Sequence, residues 1–154
     1  MTRLGFTALF FALGVAAVGG PGCAGGAPVG GSEGGDGGGC TFPSQPFLTQ
    51  TSDAGAFLVA LRSCPDQPPV QGVDTIQYTV TDAQGAPQDG LSLSVVPWMP
   101  AMGHGSNAPT VTATGDGNYV ASDVYLFMAG SWALETTISG PSVKDSVAPV
   151  VDIP

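Results

Sequence analysis

Apolar and polar positions alternate over residues 75–81, setting Ile76, Tyr78 and Val80 on one face, and again over residues 91–95, where Leu91, Leu93 and Val95 share a face. Such a period of two belongs to strands with one side on a core and the other toward solvent. The run 55–61 is continuously apolar and fits either a buried strand or a short helix. Further strand candidates are residues 111–113, 118–127, 131–139 and 146–153. Between them lie turn-rich stretches such as 82–90. Gly115-Asp116-Gly117-Asn118 reads as a tight hairpin connection, because Gly, Asp and Asn tolerate positive φ. It lacks the repeated acidic ligands and closing glutamate of a calcium loop. No long segment of period 3.6 follows the N-terminus. The pattern predicts an all-β fold, an immunoglobulin-like antiparallel β-sandwich of about seven strands over residues 40–154.

The N-terminus reads differently. Arg3 precedes an apolar run from Leu4 to Val18, shorter than the roughly 20 residues a membrane-spanning helix needs, so residues 1–22 are expected to be a secretory signal peptide. The run ends in Gly19-Gly20-Pro21-Gly22-Cys23, which resembles a bacterial lipoprotein processing site, with Cys23 as the acylated cysteine. Gly20 and Pro21 depart from the Leu and Ala or Ser usual there. Residues 24–39 are mostly glycine and read as a tether holding the domain clear of the membrane. The expected location is extracytoplasmic, in the periplasm or on the outer surface, with the membrane reached through the lipid.

Charge and cysteines extend this account. The net charge is −9, and removal of the leader leaves Arg62 and Lys144 against 12 acidic residues, which argues against nucleic acid as a partner. With Cys23 assigned to lipid, Cys40 and Cys64 remain as a pair in an oxidising compartment, and a disulfide between them is predicted, worth roughly 3 to 4 kcal/mol in the chain-entropy model. A thiolate metal site is disfavoured, since no second pair or adjacent histidine accompanies them.

The conspicuous chemistry lies in Trp98-Met99-Pro100-Ala101-Met102-Gly103-His104, which holds two methionines and the only histidine. Thioethers are soft ligands that select Cu(I), and imidazole binds copper in either oxidation state. Pro100 and Gly103 bend the chain after the strand, so Met102 and His104 can turn to a common point. Met99 is in phase with Leu91, Leu93 and Val95, which directs it to the core. Met128 closes the alternating run Val120, Ser122, Val124, Leu126 and Met128 and falls at a strand end, where it can face the same loop. The candidate copper ligands are therefore Met102, His104, Met128 and Met99, with Trp98 and Trp132 as shielding aromatics or core residues. The competing reading makes the Trp-Met-Pro-Ala-Met loop an apolar patch that docks an envelope protein partner. No nucleophile and base pair, oxyanion-hole motif or phosphate loop is evident, so no enzymatic activity is expected.

The segments 98–105, 115–119 and Phe127-Met128-Ala129-Gly130-Ser131-Trp132 resemble the pattern of YtkA-like domains, which are similar to the FixH family, over roughly residues 70–153. The resemblance implies an exported immunoglobulin-like domain, and FixH-type proteins are associated with assembly of copper-containing oxidases. It implies no catalytic residues. The absence of a transmembrane helix beyond the leader departs from the FixH type.

Overall fold

The structure, a computed structural model, describes residues 40–154. The expected signal peptide, acylated Cys23 and tether lie outside the described residues. No helix among the described residues is long and apolar enough to cross a membrane.

Ten strands are present among the described residues: β1 Leu48–Thr51, β2 Leu58–Cys64, β3 Gly72–Thr81, β4 Ser92–Met99, β5 His104–Gly105, β6 Thr110–Gly115, β7 Asn118–Leu126, β8 Gly130–Ser139, β9 Lys144–Val147 and β10 Val150–Ile153. They form two antiparallel sheets, the first in the order β1-β2-β3-β7-β6 and the second in the order β10-β8-β4-β5, with β9 also on β8. This is the predicted sandwich, with more strands than the expected seven because the short β1 and β5 did not register as runs and the last expected strand is two. The 55–61 run resolves as strand, beginning at Leu58. The expected single strand over 146–153 is broken at Pro149, which has no N–H to offer, although its carbonyl still accepts from the Leu134 N–H at 2.8 Å.

Alternation holds where it was plainest. Ile76, Tyr78 and Val80 are fully buried, as are Val59 and Leu61 beside them, and Leu93, Val95 and Met99 face them from the second sheet. It breaks in β7. The β3–β7 register shifts between Asp74 and Ile76, and the extra residue on β7 is Asp123, at a φ of 61°. The buried face therefore runs Tyr119, Ala121, Val124 and Leu126, while Val120 and Ser122 turn to the other side. The single face from Val120 to Met128 expected from sequence does not exist, because one bulge exchanges the two faces of everything beyond it.

Two cross-links hold the domain besides its strand pairing and apolar packing. Cys40 and Cys64 are disulfide-bonded, as predicted, with Cα atoms 6.0 Å apart. Asp145 on β9 accepts hydrogen bonds from Ser52 Oγ at 2.6 Å and from the backbone N–H groups of Ala54 at 2.9 Å and Ala56 at 3.1 Å. The turn joining β1 to β2 in the first sheet is thus latched to the edge of the second.

Candidate functional site

The candidate residues gather where β4 ends, β5 runs back beside it, and β7 passes into β8. Pro100 and Gly103 make the β4–β5 turn: the Met99 carbonyl accepts from the N–H groups of Met102 at 3.1 Å and Gly103 at 3.0 Å, and Gly103 takes a φ of 67° that favours glycine. The chain then re-enters the sheet, which places His104 in a strand where a loop was expected. His104 pairs in register with Met99, and Gly105 with Trp98. Residues opposite each other in an antiparallel pair present their side chains on the same face, so the register makes Met99 and His104 immediate neighbours.

A second contact joins this hairpin to the β7–β8 connection. The His104 imidazole stacks on Phe127, with ring centroids 5.7 Å apart and planes inclined by 14°. Phe127 in turn meets Trp132 edge to face at 5.3 Å, and the fully buried Trp132 donates its Nε1–H to the Met128 carbonyl at 2.9 Å. Gly130 completes the joint: a Cβ there would lie 2.8 Å from Met99 Cε, so the methionine methyl occupies space that only glycine leaves open.

The predicted residues thus take distinct positions. Met99 is 3% exposed and packs in the core, as its phase with Leu93 and Val95 implied. Met102 stands at the hairpin tip, 56% exposed. His104 and Met128 are half-buried. Trp132 is a core residue supporting the site from beneath, whereas Trp98 lies half-buried over the Gly105 backbone. Phe127, the ring that brings His104 and the Met128 segment together, was not among the predicted site residues, although it opens the Phe127–Trp132 element of the family pattern. No group of three or more His, Cys, Asp or Glu side chains among the described residues could hold a metal ion. The donor chemistry at this end of the sandwich is thioether and imidazole.

One ionisable group near this end was also missed. Asp74 on β3 is 2% exposed, its Oδ2 has no hydrogen-bond partner, and burial, reinforced by the charge of Asp66, pushes its pKa up to about 6. A carboxyl whose pKa is raised by folding opposes folding once it ionises. Its penalty is absent below the unfolded value near pH 4 and complete above about pH 6. Urea melts of Asp74→Asn and the parent should therefore diverge in favour of the variant by about 2 kcal/mol between pH 4 and pH 7. A gap that stays constant across that range would show that Asp74 does not carry the effect.

The family model described as YtkA-like matches residues 57–137. The chain belongs to the YtkA-like family. The match begins at Phe57, earlier than the resemblance in the motifs suggested, and ends at Thr137 within β8, so this YtkA-like domain includes β2 as well as the Met/His hairpin and the Phe127–Trp132 element. Membership suggests an envelope-associated module. Among curated proteins and among solved structures, nothing matches the chain.

Proposed function

We propose that this YtkA-like domain is a copper-binding module of the cell envelope, lipid-anchored through Cys23, that delivers, buffers or senses Cu(I) and catalyses no reaction. His104 supplies the imidazole, Met102 and Met128 supply thioethers, and Met99 is the buried thioether beside His104. The observation that carries the reading is the stack of His104 on Phe127, which joins the hairpin bearing Met102 to the segment bearing Met128. Soft, neutral donors of this kind satisfy Cu(I) at low coordination number and offer little to the hard cations that seek oxygen. Half-burial of His104 and Met128 would limit water at the metal, and the exposed Met102 would be the ligand through which copper enters or leaves.

Titration of the full chain with Cu(I) against a competing chelator is the test. Binding tighter than about micromolar is expected, with a loss of at least roughly tenfold when Met102→Ala is combined with His104→Ala. Weaker binding by the parent, or no loss in the double variant, would remove the copper reading. A second reading draws on a specific feature: Pro100, Ala101 and Met102 are all exposed at the hairpin tip and form an apolar point suited to docking a protein partner without metal. The same titration separates the two, since a docking tip alone holds no Cu(I).

A further inference from the structure

The outer face of the first sheet carries a groove that the copper reading does not use. β6 accompanies β7 only as far as the pairing of Thr110 with Ser122, whereas β7 continues to Leu126 with β3 on its other side alone. Among the described residues, no backbone hydrogen bond from a loop reaches that freed edge of residues 123–126. A cavity of about 560 Å³ opens beside it, lined by Val73, Asn107, Ala108, Pro109, Asp123 and Tyr125. Val73 and Tyr125 are cross-strand partners and unusually exposed for their type, at 57% and 49%. The Tyr125 ring centroid lies 5.4 Å from that of Phe127, the ring on which His104 stacks. Its one charged lining residue is Asp123, in a chain with 12 acidic and 3 basic side chains.

We propose that this groove binds an extended, basic segment of a partner protein, which adds as a strand to the free edge of β7, packs an apolar side chain on the exposed Tyr125 ring that Val73 flanks from β3, and sets a lysine or arginine against Asp123. Each feature of the groove selects one feature of this occupant. An unpaired edge offers backbone donors and acceptors that only another backbone satisfies in series. An exposed aliphatic–aromatic pair rewards burial by an apolar residue. The carboxylate and the acidic surface around it favour a basic partner, and they oppose a second copy of this chain or an anionic membrane.

The probe is a fluorescently labelled peptide alternating lysine and valine about a central phenylalanine, titrated into the metal-free full chain and read by anisotropy. Working without copper keeps the outcome separate from that of the copper site. A dissociation constant of about 10 to 100 μM is expected, weakened roughly tenfold by Tyr125→Ser or by Val73→Ser and about threefold by Asp123→Asn. Val96→Ser, on the exposed face of the other sheet, should bind as the parent does. Three control peptides probe the three features: one with glutamate for lysine, one of lysine without the apolar residues, and one N-methylated at alternate positions. All three should bind weakly. Equal binding by any of them, or by both Tyr125→Ser and Val73→Ser, would overturn the proposal.

Discussion

Trp132→Ala should cost about 3 to 5 kcal/mol of folding stability, the largest single effect expected in this domain. Trp132 is 0% exposed and sits where both sheets meet the site, so its removal leaves a cavity lined by core side chains that belong to two layers and cannot all close in. It also strips the Met128 carbonyl of its donor and Phe127 of its edge-to-face partner. In a domain of this size the loss corresponds to a drop in Tm of roughly 15 °C or more. Urea or thermal melts followed by circular dichroism measure it, and a loss below about 1 kcal/mol would show that the ring is not a core element. Trp132→Phe restores most of the bulk without the N–H. It should recover most of the stability, with a residual deficit of about 1 kcal/mol from the orphaned carbonyl, and it separates the packing of the ring from the hydrogen bond that sets the Met128 segment.

Asp145→Asn is expected to destabilise by about 3 kcal/mol at neutral pH, because several donors lose a charged acceptor at once and an amide turns its own N–H groups toward some of them. Burial by itself would raise the Asp145 carboxyl. The hydrogen bonds from Ser52, Ala54, Ser146 and Ala56 outweigh it and hold the pKa down at about 2. A carboxyl whose pKa is lowered by folding contributes stability that is complete above the unfolded value near pH 4 and is lost as pH falls through about 2. The gap between parent and variant in urea melts should therefore be full at pH 7 and narrow steadily below about pH 4. A gap unchanged at pH 2 would mean that shape at this position matters and charge does not. Asp74 works in the opposite sense, losing stability as pH rises toward about 6. Of these two groups, the fold is best served between their titrations, with Asp145 ionised and Asp74 still protonated.

Both residues make the same point about legibility. In the sequence Asp74 and Asp145 are two of 12 acidic residues, with nothing to distinguish them from Asp82 or Asp89 on the surface. Their environments are made by partners far along the chain: Ser52 and Asp145 are separated by 93 positions. The burial of Met99, by contrast, could be read directly, since its phase with Leu93 and Val95 is a property of one strand and survives in the fold. The turn at Pro100 and Gly103 was equally plain, because the backbone restriction of one residue and the freedom of the other are local. The strand at His104 was not, as two residues carry no period.

By itself, the sequence determined the all-β class, the positions of the main strands and turns, the Cys40–Cys64 pairing and the concentration of soft donors between Met99 and His104. Each follows from spacing within one strand or turn or, for the disulfide, from the even pair that remains once Cys23 is set aside. Only the tertiary structure decided which faces those strands present after Asp123, that His104 stands opposite Met99 and against Phe127, and that β7 is left with a free edge near the site. A single bulged residue inverts a strand's faces, and register between strands is set by packing across the whole sheet, so neither is written in any one stretch of chain.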